Sequence, residues 1–214
     1  MSAPTKLDHI LYGAADLDQA VFDLEHKLGA RATPGGSHPG LGTRNALISL
    51  GERRYLEIVA PDPAQDLSGN IGAALLNITA PGLVAWCAAT SDLNALRAKI
   101  PPSIGAGALQ PQQRTTPGGV TLHWTIMHLP ARDWGPVAPF FIDWRDTPHP
   151  TQTLDASCTL RELTLHAPNI EALTQLMSAI ELDDVAIVDA NAPALSAKLD
   201  SPNGIVPLEP ARGW

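Results

Sequence analysis

His9 and Glu57 stand 48 residues apart, each inside a short apolar run: Leu7-Asp8-His9-Ile10 and Tyr55-Leu56-Glu57-Ile58. If the second run is a strand, alternation sets Tyr55, Glu57 and Val59 on one face and Leu56 and Ile58 on the other. Glu57 can then look into a cleft while its neighbours meet a helix. A His and a Glu facing one cleft can contact a substrate or a metal ion, or simply hydrogen-bond to each other without metal. A carboxylate so placed is also a candidate base.

Between the two lies a glycine-rich stretch, Pro34-Gly35-Gly36-Ser37-His38-Pro39-Gly40-Leu41-Gly42-Thr43-Arg44-Asn45, which reads as a loop. Its glycines permit unusual backbone angles, and His38 held there suits a proton shuttle or a lid; an ordinary surface turn is the plainer alternative. No Lys-Ser or Lys-Thr follows the glycines, so neither a phosphate-binding loop nor a nucleotide cofactor is expected. Asn45 can position a substrate oxygen or satisfy backbone groups at a strand end. Of the ten aromatic residues five are Trp, and Trp86 or Trp124 can wall a ligand pocket or fill the core. His26 and His149 read as solvent-exposed. Asp62, Asp66, Asp183 and Asp184 read as loop charges.

The elements that must position these residues recur. Asp16, Asp92 and Asn169 each follow an apolar strand and precede an amphipathic stretch, at spacings of 76 and 77 residues. All three are N-cap residue types, and Gln19 completes a capping box with Asp16. The helices carry the stripes Leu17, Val21, Leu24, Leu28; Leu93, Leu96, Ile100; and Ile170, Leu173, Met177, Ile180. Strands are expected over 43–50, 53–59, 120–128, 137–144, 194–199 and 204–208. Over 120–128 the alternation puts Trp124, Ile126 and His128 on one face and His123 and Thr125 on the other. The class is α+β: strand, helix, then two or three strands, repeated in units of about 5–60, 82–145 and 159–210 within one body spanning 1–214.

This β-α-β-β-β pattern, with Leu7-Asp8-His9-Ile10, the 34–45 stretch and Tyr55-Leu56-Glu57-Ile58, resembles the glyoxalase-like domain family. That family belongs to the vicinal-oxygen-chelate superfamily of glyoxalase, bleomycin-resistance and extradiol-dioxygenase relatives. The resemblance implies mixed, curled sheets around a cleft with helices outside. It also implies a divalent metal ion held by His and Glu, chelating two adjacent substrate oxygens in lyase, isomerase or dioxygenase chemistry. His9 and Glu57 fall at the first-unit ligand positions. In the second unit, Ala85 or Trp86 stands where a His is implied, and Asp143 lies near the position of the Glu. His123 or His38 is then the candidate that completes the set, ahead of Glu162, which aligns with His9 in the third unit. Substrate contacts are assigned to His38, Asn45, Tyr55, Trp86, Trp124 and Asp143, and catalysis to Glu57 and His38. The alternative on the same fold is a metal-free module that binds or sequesters a small molecule, which the Trp86 replacement favours. The resemblance also implies a site completed within one chain or across a homodimer.

Composition narrows the partners. Fourteen basic residues against twenty-two acidic ones give a net charge of −8, with no basic tract to track a phosphate backbone. Nucleic acid is therefore not expected. No apolar run approaches the ~20 residues of a membrane span, and no signal segment is evident, so a cytoplasmic location and no membrane partner are expected. Cys87 and Cys158 are too few and too distant for a disulfide framework or zinc knuckle, and read as reduced, half-buried fillers.

Overall fold

A computed structural model describes residues 4–116, 118–130 and 132–214. The first unit runs β1 (Lys6–Gly13), α1 (Leu17–Leu28), β2 (Thr33–His38), β3 (Thr43–Ser49) and β4 (Tyr55–Pro61). A short helix α2 (Ile71–Leu75) occupies the connection. The second unit runs β5 (Gly82–Ala89), α3 (Leu93–Lys99), β6 (Leu109–Thr115), β7 (Thr121–His128) and β8 (Phe140–Asp143). The chain ends with β9 (Thr159–Ala167), α4 (Ile170–Ala179), β10 (Ala186–Asp189), β11 (Ala194–Ser201) and β12 (Gly204–Leu208).

The helices start where the cap residues place them. Asp16 accepts from the Gln19 amide, Asp92 from Asn94 and Ala95, and Asn169 from Ala172. These bonds satisfy amide donors that no helix can satisfy internally. Helix α1 ends at Gly29, whose φ of 69° closes the last turn as only glycine does cheaply.

Strands of the first two units close into one barrel in the order β1-β4-β3-β2-β6-β7-β8-β5. In the first unit β1 runs parallel to β4, and β4, β3 and β2 follow antiparallel. In the second, β5 runs parallel to β8, and β8, β7 and β6 follow antiparallel. The two halves meet along β1 and β5 from Lys6↔Ala89 to Gly13↔Gly82. On the far side, among the described residues, they meet at a single pair, Ser37↔Thr115. Outward residues such as Ile10, Ile48, Leu56 and Ile58 are fully buried beneath the helices. Inward residues surround a cavity.

The third unit has the expected element order but another topology. Its sheet runs β10-β9-β11-β12, so its first strand lies inside the sheet, parallel to β10 and antiparallel to β11. It stays outside the barrel and packs against it through a shared core containing Leu24, Trp86, Leu163, Leu195 and Leu199. Lys27 and Asn203 tie α1 to this sheet through Pro207 O and His26 O.

Several expectations need correction. The 34–38 stretch is strand β2 rather than loop, held by pairing to β3. The region expected as a strand from 137 begins only at Phe140, after a 3-10 segment Arg132–Val137 turned at Gly135. Strands β6 and β10 and helix α2 were not expected, since their sequences lack strong apolar alternation. Cys87 and Cys158 are buried rather than half-buried, and burial holds both thiols above the usual range. Among the described residues no helix is long and apolar enough to cross a membrane.

Candidate functional site

Strand alternation turns His9 and Leu11 of β1, Thr43 and Asn45 of β3, and Tyr55, Glu57 and Val59 of β4 into the barrel. His38 enters from the end of β2, and Gln112 and Arg114 from β6. The result is a cavity of about 590 Å³. Leu11, Ile71, Ile126, Phe140, Ile142 and the rings of Trp124 and Trp144 supply much of the remaining wall.

Glu57 is the hub of the polar end. Asn45 Nδ2 donates to its Oε1 at 2.7 Å, and Arg114 NH1 donates to Asn45 Oδ1 at 2.9 Å. His9 Nε2 lies 3.6 Å from Glu57 Oε2, and His38 Nε2 lies 3.7 Å from Oε1. All five side chains are buried. His38 is anchored at Nδ1 by Thr43 Oγ1, 2.9 Å away. Burial pushes its pKa below the usual imidazole value, an effect the Glu57 charge opposes and Arg114 reinforces. His38 is therefore neutral near pH 7.

A β-bulge sets the orientation of His9. The pairing of β1 with β5 skips Asp8, between Leu7↔Ala88 and His9↔Cys87. An extra residue re-aims its side chain, so Asp8 reaches its own neighbour: Asp8 Oδ1 and His9 Nδ1 are 2.6 Å apart. Asp8 Oδ2 accepts from Trp144 Nε1 at 3.0 Å and meets His149 Nε2 at 3.1 Å. Burial would raise the Asp8 pKa, but hydrogen bonds and charge from His149 and His9 overcome it and hold the carboxyl at about 2. An ionised Asp8 can only accept, so His9 donates to it through Nδ1 and Nε2 is turned toward Glu57. Tyr55 stacks on the imidazole, with centroids 4.5 Å apart. Burial raises its phenol well above the usual range, so the ring stays neutral.

The site thus gathers His9, His38, Asn45, Tyr55, Glu57 and Trp124 of the residues singled out by sequence. It does not gather the others. His123 sits exposed on the outer face of β7, where its amide bonds Thr147, because Trp124 and Ile126 take the inward face. Trp86 is fully buried outside the cavity and donates to Val137 O. Asp143 turns away to pair with Arg145. Glu162 lies on the outer sheet with Lys198 and Thr164. His149, expected to be exposed, is buried against Asp8. Asp62, expected as a loop charge, is buried and bonded to Ser37 and Gln65. Arg114 escaped notice because its strand, Leu109-Gln110-Pro111-Gln112-Gln113-Arg114-Thr115, shows no apolar alternation. The signal was a lone cation at strand spacing from Gln112.

The donor set does not fit a four-ligand metal centre. Glu57 lies opposite Leu11, two residues beyond His9, and Phe140 lies opposite Cys87, two residues beyond Ala85. Ala85 and Phe140 therefore occupy the second-unit counterparts of His9 and Glu57, and both line the cavity without a donor atom. Among the described residues no group of three or more His, Cys, Asp or Glu side chains is arranged to hold one ion.

The glyoxalase-like domain model matches residues 7–181, and the chain belongs to that family, within the vicinal-oxygen-chelate superfamily. Among solved structures it is similar to a hypothetical protein from Staphylococcus aureus, with a TM-score of 0.68 and 17% identity over 88% of each chain. It is also similar to methylmalonyl-CoA epimerase from Mycobacterium tuberculosis, with a TM-score of 0.50 and 21% identity over 69% of this chain and 91% of that one. At these identities the likeness concerns the fold. No curated protein sequence gives a significant match.

Proposed function

We propose that the chain is a small-molecule enzyme of the isomerase or lyase kind, moving a proton at a carbon flanked by two oxygen-bearing positions. The observation that carries this reading is a buried carboxylate, Glu57, set between His9 and His38 at the polar end of a largely apolar cavity. Burying such a cluster is costly unless every member is used or paired. Glu57 Oε2 takes the substrate proton. His9 Nε2 can receive it in turn, because the Asp8 carboxylate stabilises the imidazolium that forms. Asn45 fixes the Glu57 carboxylate in one orientation. The His9 imidazolium, directly or back through Glu57, returns that proton to the product and restores both groups, while neutral His38 borders the other carboxylate oxygen. The substrate's apolar part lies against Trp124, Ile126, Phe140 and Ile142.

This chemistry needs no divalent ion. Ring-opening dioxygenation, which does, is the least suited of the three reactions that the family resemblance implies, since half of the ligand set is replaced by Ala85 and Phe140. The apolar second wall supports one other reading, a metal-free module that binds or sequesters a ligand.

Proton exchange separates the two readings. A panel of 2-hydroxy ketones and 2-hydroxy-3-oxo acids is incubated with the protein in heavy water and followed by proton NMR. Loss of a carbon-bound proton signal is expected for at least one compound, slowed by about a thousandfold in Glu57→Gln. Tight binding with no exchange anywhere in the panel identifies the binding module instead. Elemental analysis of protein purified without chelator is expected to find well under one equivalent of metal; one tightly held equivalent, lost in His9→Ala and Glu57→Ala, would overturn the metal-free mechanism.

A further inference from the structure

Arg114 carries a charge that the proton-transfer scheme leaves unused. Its side chain is 5% exposed, yet its Nε has no hydrogen-bond partner among the described residues. NH1 donates only to a neutral acceptor, Asn45 Oδ1. Glu57 is instead engaged by Asn45, His9 and His38, and no ion pair to Arg114 forms among the described residues. A buried guanidinium without a counter-charge is costly to maintain, and buried unsatisfied donors in folded proteins call for an explanation.

The position is also built. A side chain on Gly35 would place its Cβ 2.4 Å from Arg114 NH1 and 2.0 Å from Asn45 Oδ1. On Gly36 it would stand 2.4 Å from Thr115 O and 3.2 Å from Arg114 Cγ. The two glycines of β2 therefore clear the space that the arginine and the amide occupy. Beside Arg114, on the neighbouring strand β7, Trp124 and Ile126 line the cavity with apolar surface.

We propose that Arg114 is the receptor for a carboxylate on the ligand, so that the protein takes apolar organic acids, with the carboxylate on Arg114 and the hydrocarbon part against Trp124, Ile126 and Phe140. A planar guanidinium matches a planar carboxylate through paired N–H donors, which a neutral ligand cannot replace. Asn45 joins this subsite to the proton-transfer cluster: its amide oxygen takes Arg114 while its nitrogen holds Glu57. An acid bound to Arg114 thus presents its neighbouring carbons near the base. This deepens the proton-transfer reading in naming the substrate class, but the binding itself does not depend on catalysis.

The test compares hexanoate, octanoate and cinnamate with their primary amides, by titration calorimetry on the full chain. The wild type is expected to bind at least one acid about tenfold or more tighter than its amide. Arg114→Gln should bind both forms alike, and Arg114→Lys should keep a weakened preference for the acid. Equal binding of acid and amide by the wild type overturns the proposal, as does binding of neither at millimolar concentration or a preference that survives in Arg114→Gln. If Arg114→Gln gives no cooperative thermal transition, Arg114→Lys and the wild-type comparison decide. Glu57→Gln keeps the two ideas apart: it should slow proton exchange by about a thousandfold while preserving the preference for the acid. A wild type that prefers acids but exchanges no proton refutes catalysis and leaves the carboxylate subsite standing.

Discussion

The two halves of the barrel share one pattern of strand pairing and present opposite chemistry to the cavity. Where the first half places His9 and Glu57, the second places Ala85 and Phe140. Where β3 points Asn45 inward, β7 points Trp124 and Ile126. Backbone registration decides which positions look inward but not what they carry. One copy of the pattern is free to hold reacting groups while the other becomes a hydrocarbon wall. Arg114 is the exception: the second half's own β6 delivers it across the seam to Asn45 of the first.

The sharpest way to break this asymmetry is to remove the hub. Glu57→Gln should slow proton exchange by about a thousandfold in the NMR assay, whereas Phe140→Leu, which keeps an apolar side chain beside the His9 ring, should change it by less than about tenfold. Restoring symmetry is the converse experiment. Ala85→His combined with Phe140→Glu supplies the missing donors, and the double variant should gain about one equivalent of tightly bound zinc by elemental analysis. Failure to bind zinc in a folded double variant would mean that the matching registers do not give matching ligand geometry.

A third substitution acts through stability. Asp8→Asn removes the charge shared by His9, Trp144 and His149 and turns one of its two acceptor oxygens into a donor, and should cost about 3 kcal/mol in denaturant unfolding. The pH dependence has a definite sign. His38 has a depressed folded pKa, so the unfolded chain binds its proton first as pH falls below 6.5, and stability declines there. Asp8 has a pKa of about 2 in the folded protein against 3.8 unfolded, so its contribution of about 2 kcal/mol is complete above pH 4 and lost toward pH 2. Melting temperatures measured from pH 8 to pH 2 should fall across both windows, and Asp8→Asn should make the lower one shallower, the rest coming from other carboxyls with lowered pKa such as Asp62 and Glu162. Gly35→Ala forces Asn45 and Arg114 off their bonded positions, so it should weaken acid binding by about tenfold and also lower the melting temperature, by the equivalent of about 1 kcal/mol or more.

How far these features could be read in advance depended on how local their causes are. Helix starts at Asp16, Asp92 and Asn169 follow from bonds spanning three residues, and the sequence shows them directly. The inward face of β4 and of β7 follows from period-two alternation, which is also local. Strand β2 was hidden because glycines give no propensity signal, although glycine there makes room for Arg114. The Asp8 network joins residues more than 130 positions apart through a bulge, and no spacing rule marks a bulge. His149 sits between two prolines and reads as surface, yet those prolines stiffen the turn that drives it inward.

The barrel is fastened unequally. One junction is a long ladder of amide bonds, while among the described residues the other has one strand pairing, Ser37 with Thr115, and the Arg114–Asn45 side-chain bond. The lighter junction is the weaker place to part, and both Arg114 and His38 lie beside it. Ligand entry through a parting of β2 from β6 would carry an acid past its own receptor on the way in. Amides flanking that junction should accordingly exchange with solvent faster than those along β1 and β5, and bound carboxylate should slow them.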